Sequence, residues 1–142
     1  MHREGVIRHM NKQQVLTFCQ GWLKSWTGNK PEELITFYSK DAFYRDPAKP
    51  KGLRGRTELL TYFRSLLRHN PSWVWEADEI FTIEGGFVLR WRASIPTGRI
   101  VIRETGMDIV LVEKGLITRN EVYFDRSRLL AEMEMKRTKT KS

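Results

Sequence analysis

Three side chains in this sequence have the type and setting to move protons. Tyr44 and Asp46 stand two apart in Phe43-Tyr44-Arg45-Asp46-Pro47, and Asp108 lies in Gly106-Met107-Asp108-Ile109-Val110. Both stretches read as strands, in which side chains alternate between two faces. If Asp46 points inward, so does Tyr44, while Phe43 and Arg45 point out. If Asp108 is inward, so are Glu104, Gly106 and Val110. A carboxyl group in apolar surroundings has its charged form disfavoured, so its pKa rises. Two such groups can divide acid–base work, one ionised as a base and its neighbour protonated as a hydrogen-bond donor. The same residues have plain structural uses. Asp46 before Pro47 can shape a turn. Asp108 can pair with an arginine, Glu104 can be strand-edge surface, and Asp125 ahead of Ser127 can cap a final helix.

Other chemistries are thinly supplied. The one cysteine, Cys19, has no internal disulfide partner. It fits a reducing compartment, rules out zinc sites built on several thiolates, and suits core packing on a helix face. His2, His9 and His69 do not cluster at ligand spacing. The expectation is no metal and no cofactor.

The elements that must position the acidic groups follow from hydrophobic spacing. Asn11 with Gln14 reads as a capping box, and Met10 with Val15 as a hydrophobic staple. Val15, Phe18, Cys19, Trp22, Leu23 and Trp26 then trace one apolar helix face, ended by Gly28. Pro31 opens a second helix with Leu34, Phe37 and Tyr38 on its buried side. A short strand over 42–46 leads to a loop over 47–55, read from its Pro and Gly content. Thr57 caps a third helix carrying Leu59, Leu60, Phe63, Leu66 and Leu67, which ends at Asn70-Pro71. The texture then changes to period two. Strands at about 73–83, 87–95, 99–112 and 116–124 are joined by hairpin-length turns into an antiparallel meander. A short helix through Leu129, Leu130 and Met133 precedes a basic tail.

Helices first and a meander after predict an α+β fold, in which a long twisted antiparallel sheet can curl over the N-terminal helices. The domain spans 11–135, with an N-terminal arm over 1–10 and a flexible basic tail over 136–142. Between sheet and helices lies a concave space that large aromatics can wall. Phe87, Leu89, Trp91 and Ala93 share the inner face, and Arg90 and Arg92 the outer, where they can serve a dimer contact. On the last strand Asn120, Val122 and Phe124 face in and Tyr123 faces out. The expected walls are Trp22, Trp26, Tyr38, Tyr62 and Trp91, with Leu89, Val122 and Phe124. The polar points are Tyr44, Asp46, Asp108 and Asn120. That composition suits a small, mostly apolar organic ligand.

Composition sets outer bounds. At 142 residues the chain is long enough for one domain. Its net charge of +8 invites comparison with nucleic-acid binders. Lys136, Arg137, Lys139 and Lys141 crowd much of that charge into the last seven residues. The body is only mildly basic, which argues against a nucleic-acid surface. No apolar run reaches membrane-spanning length, and the first residues do not read as a signal peptide, so the expected setting is cytoplasmic.

The element order, the Phe43–Pro47 phrase before a Gly-ended loop, and the segments Gly106–Val110, Lys114–Ile117 and Val122–Asp125 resemble the nuclear transport factor 2-like superfamily. That superfamily includes ketosteroid isomerases, SnoaL-like polyketide cyclases, limonene epoxide hydrolases, scytalone dehydratase and many binding-only members. The resemblance covers roughly residues 11–130. It implies a cystatin-like α+β barrel, a sheet cone with a deep pocket, often dimeric through the outer sheet face. Ketosteroid isomerase, a standard case of two tuned aspartates, places its base where Asp46 stands and its protonated aspartate where Asp108 stands. Its oxyanion-hole tyrosine falls on Trp22. The epoxide hydrolases' Arg-x-Asp pair falls on Val88 and Arg90, and their second aspartate on Val122, so their water-activating relay is missing. The resemblance thus implies a cofactor-free isomerase, cyclase or lyase. Asp46 would be the general base, and Asp108, with Trp22 or Tyr44, would steady an oxyanion. The alternative is a non-catalytic ligand-binding or dimeric scaffold protein.

Overall fold

The capping box forms as the sequence predicts. In this computed structural model, which describes residues 9–141, the Asn11 side chain accepts from Gln14 N at 2.8 Å and Gln14 Oε1 accepts from Asn11 N at 2.9 Å. Helix α1 runs Lys12–Lys24 and buries Val15, Cys19 and Trp22. It stops short of Gly28, which lies in the following turn with a left-handed φ of +85°. Most of the arm expected over 1–10 lies outside the described residues.

The second helix is shorter than expected. Helix α2 covers only Pro31–Leu34, a 3-10 turn follows at Ile35–Phe37, and Tyr38 is the first residue of strand β1 (Tyr38–Asp46). The run Ile35-Thr36-Phe37-Tyr38 is β-branched and aromatic, types that pack better on a pleated sheet than along a helix. The loop expected over 47–55 is instead a tight turn and a strand, β2 (Lys49–Arg54), antiparallel to β1. Asp46 builds the turn, its Oδ1 accepting from Ala48 N at 2.9 Å and Lys49 N at 3.0 Å. β2 lies at the sheet edge, where Pro50 and exposed lysines are tolerated.

Helix α3 (Arg56–His69) is capped by Gly55, not Thr57. Gly55 adopts φ +93°, and Glu58 Oε1 reaches back to accept from Arg54 N at 2.9 Å. Strands β3 (Val74–Ile83), β4 (Gly86–Pro96), β5 (Val101–Glu113) and β6 (Leu116–Tyr123) form the predicted meander. Helix α4 runs Ser127–Lys141, so it extends through residues read from sequence as a frayed tail. The Asp125 carboxylate accepts from Ser127 N at 2.9 Å at its start.

The six strands lie in the order β2-β1-β6-β5-β4-β3. All neighbours are antiparallel except β1 and β6, which are parallel, so the sheet is mixed and not wholly antiparallel. β2 and β3 are its two edges, and the curved sheet does not close into a barrel. The core lies between its inner face and the helices, with Trp22, Tyr38, Phe63, Phe87 and Leu89 fully buried. On the outer face Arg90 bonds Asp78 at 2.8 Å and Glu79 at 2.6 Å, and Arg92 reaches Asp78 at 3.2 Å. No helix among the described residues is long and apolar enough to cross a membrane.

Candidate active site

The inward alternation expected for both aspartates holds. Tyr44 and Asp46 are buried on β1, and Asp108 is buried on β5. Tyr44 is level with Asn120 of β6, and Asn120 is level with Val110 of β5. Two residues along, Val122 pairs with Asp108. The aspartates therefore flank β6, on strands about 10 Å apart at the backbone, with Val122 as the floor between them. They face a cavity of about 220 Å³ whose lining includes Asp46, Asp108, Tyr44, Tyr62, Trp22 and Trp91.

The two carboxyl groups are held differently. Asp46 accepts four hydrogen bonds. Its Oδ1 takes the two turn amides, and its Oδ2 takes the hydroxyls of Tyr44 and Tyr62, each at 2.7 Å. Burial pushes the pKa of both tyrosines up, and Asp46 pushes them further, so both remain hydroxyl donors. Both oxygens of Asp46 are thus occupied by donors.

Asp108 sits at the end of a chain with a fixed direction. Trp22 Nε1 donates to the Tyr38 hydroxyl at 3.3 Å, and that hydroxyl donates to Asn120 Oδ1 at 2.7 Å. Asn120 Nδ2 then donates to Asp108 Oδ2 at 2.8 Å, and Trp91 Nε1 donates to Asp108 Oδ1 at 2.7 Å. An indole N–H can only donate, so the orientation of every group in the chain follows. Each Asp108 oxygen takes one bond and keeps acceptor capacity. Burial raises its pKa, opposed by the Asn120 and Trp91 donors and assisted by the charge of Asp46, to about 7. Cys19 packs nearby as an inert core thiol, its pKa pushed up by burial to about 12.

Gly106 makes the Trp91 bond geometrically available. It is paired across the ladder with Trp91. A Cβ built on it would fall well inside the Trp91 ring's van der Waals envelope and 2.7 Å from Phe124 Cβ. The missing side chain lets the indole lie across β5 and reach Asp108.

Most of the sequence-predicted wall is present. Trp22, Trp26, Tyr44, Asp46, Tyr62, Trp91, Asp108, Val122 and Phe124 line the cavity. Tyr38, Leu89 and Asn120 do not; they are fully buried behind it, Tyr38 and Asn120 within the hydrogen-bond chain. Sequence reasoning missed Trp73 and Trp75, whose spacing of two on a strand already placed them on one face. Trp75 meets Trp91 edge to face at 4.8 Å and Trp26 at 6.5 Å, which makes the aromatic wall continuous. It also missed Arg126 and the α4 residues Leu129, Leu130 and Met133, which close one side. α4 is fastened by Glu132, which binds Arg99 with both oxygens at 2.7 and 2.8 Å.

Comparison with known proteins follows the same architecture. No curated protein matches the chain. Among solved structures, a Catenulispora acidiphila hypothetical protein with a ketosteroid isomerase-like fold, solved with trimethylamine, has a TM-score of 0.71 at 17% identity, covering 81% of this chain and 90% of that one. A Shewanella putrefaciens protein labelled a SnoaL-like polyketide cyclase also has a TM-score of 0.71, at 13% identity, with 86% of each chain covered. A SnoaL-like protein of unknown function from Burkholderia thailandensis has a TM-score of 0.68 at 15% identity, covering 82% of this chain and 98% of that one. At such identities these likenesses concern the fold. The sequence pattern of the SnoaL-like domain matches residues 19–120, most of the chain, and the protein belongs to the SnoaL-like domain family.

Proposed function

We propose that this protein binds a small, mostly apolar carbonyl compound in its aromatic cavity and moves a proton on it without a cofactor, as an isomerase, cyclase or lyase does. The observation that carries this reading is Asp108, a buried carboxyl group at the cavity wall with its pKa raised to about 7. A base is most effective when its pKa lies near the working pH. In this reading the division of labour is the reverse of the one the family resemblance implies, and the hydrogen bonding of Asp46 supports it. Asp46 has both oxygens occupied by donors, so it anchors the Tyr44 and Tyr62 hydroxyls and the β1–β2 turn. Trp22 and Tyr44 already donate to Tyr38 and Asp46, which leaves them no N–H or O–H for an oxyanion. Asp108 takes the proton from carbon next to the carbonyl. The C–H bonding pair moves into the enolate, and the proton returns at another carbon or the enolate attacks an electrophile to close a ring. The indole N–H groups of Trp26, Trp73 and Trp75 have no hydrogen-bond partner among the described residues and can receive the developing oxyanion.

A substrate-independent test uses 5-nitrobenzisoxazole. Removal of its ring C–H proton breaks the N–O bond and releases a coloured phenolate. The wild-type rate should rise through pH 7, and Asp108→Asn should slow it by about 100-fold or more. An unchanged rate in Asp108→Asn defeats the catalytic reading. Tight binding without turnover favours the non-catalytic alternative. Pairing of two copies through the outer sheet face belongs to the same proposal, supported by exposed Val74, Phe81, Met107 and Tyr123 on that face. Sedimentation analysis of wild type and Met107→Glu checks it, since a dimer using this face should dissociate in the variant.

A further inference from the structure

We infer that the ligand carries one anionic group, a carboxylate on an otherwise apolar planar body, and that Arg126 receives it. This rests on reading the cavity as a small-molecule site, and it adds the charge of the molecule the site takes.

Three described arginines are partly buried: Arg45, Arg90 and Arg126. Arg45 lies over the Tyr123 ring at 5.6 Å, and Arg90 is paired with Asp78 and Glu79. The guanidinium of Arg126 has no ion pair, hydrogen bond or ring contact among the described residues, and it lines the cavity. Its charge is nonetheless felt there, because it pulls the Tyr62 hydroxyl pKa down against burial and Asp46. Withdrawing an arginine from water without a counter-charge is unfavourable, and an incoming anion reverses that.

The other charges at the cavity are already answered. Asp46 faces four donors, two of them backbone amides, and Asp108 faces two. Among the described charged residues that line the cavity, Arg126 is the one left without an internal partner. Its planar fork of N–H groups matches a carboxylate with two parallel hydrogen bonds. Trp73, Trp75, Trp91 and Phe124 offer the faces for a flat apolar body.

The test is calorimetric titration of the full chain at pH 7 with 2-naphthoate, its neutral isostere naphthalene-2-carboxamide, and 2-naphthylmethylammonium. Naphthoate should bind about tenfold more tightly than the carboxamide. Arg126→Gln should remove that preference while leaving the carboxamide affinity within about twofold, and Arg126→Lys should keep part of it. The inference is overturned if naphthoate binds no better than the carboxamide, if the preference survives in Arg126→Gln, or if the ammonium compound binds best. Binding of the carboxamide alone would leave the small-molecule reading standing and defeat the anion. Failure of all three compounds to bind the wild type defeats both.

Discussion

Asp108→Asn removes one ionisable group from the cavity wall and keeps its outline, so it should alter how stability depends on pH. The Asp108 pKa is raised from an ordinary 3.8 to about 7 by burial. Between those values the folded chain holds a proton that the unfolded chain releases, so the wild type loses stability as pH rises from about 4 to about 7. From pH 5 to pH 8 that loss amounts to roughly 3 kcal/mol, taking about 1.4 kcal/mol for each pH unit up to the folded pKa. The variant has no such loss. It has a separate, pH-independent deficit of about 1–3 kcal/mol, because an asparagine amide cannot accept from both Trp91 and Asn120. Asp108→Asn should therefore be less stable than wild type at pH 5, and comparable or more stable at pH 8. Urea unfolding followed by tryptophan fluorescence at the two pH values measures this, since other titrating groups are common to both proteins. If the difference between the two proteins stays the same within about 0.5 kcal/mol from pH 5 to pH 8, the reasoning about Asp108 fails.

Two further outcomes follow from the surroundings. Gly106→Ala should push the Trp91 indole off β5 and weaken its bond to Asp108, lowering stability by about 1–3 kcal/mol. With that donor lost, burial acts with less opposition, so the Asp108 titration should move further upward; thermal unfolding and a carboxyl titration of the variant check both effects. Glu132→Gln should break the two-pronged contact with Arg99 that fastens α4 to the β4–β5 hairpin. Amide exchange should then quicken across α4 while β4 and β5 stay protected, and uniform exchange rates in variant and wild type would show that the helix is held otherwise.

The parts of the fold and site that were legible in the sequence are those governed by local rules. The Asn11–Gln14 cap and the α1 face depend on spacing along one helix. The inward positions of Tyr44, Asp46, Trp91 and Asp108 depend only on the period of two in a strand. The misplaced parts depended on distant partners. Leu34 and Phe37 set a helical rhythm that Tyr38 continues, yet its place is settled by bonds to Trp22 and Asn120 at remote positions. The Pro- and Gly-rich stretch after Asp46 forms β2 because β1 offers a free ladder and an edge strand tolerates Pro50. The parallel pairing of β1 with β6 joins segments some seventy residues apart, which no local pattern signals. Arg126 carries no local signal of its place, because the cavity it lines is assembled from distant segments such as Asp46 of β1 and Tyr62 of α3.

The proposed function requires a carboxyl group at the wall of this cavity to exchange a proton near neutral pH. The most direct measurement is a carbon-13 NMR titration of the Asp108 side-chain carboxyl in the full chain, assigned by comparison with Asp108→Asn. A midpoint near 7 is expected, following the pKa raised by burial. A midpoint near 4, the range of an ordinary solvated aspartate, would contradict it.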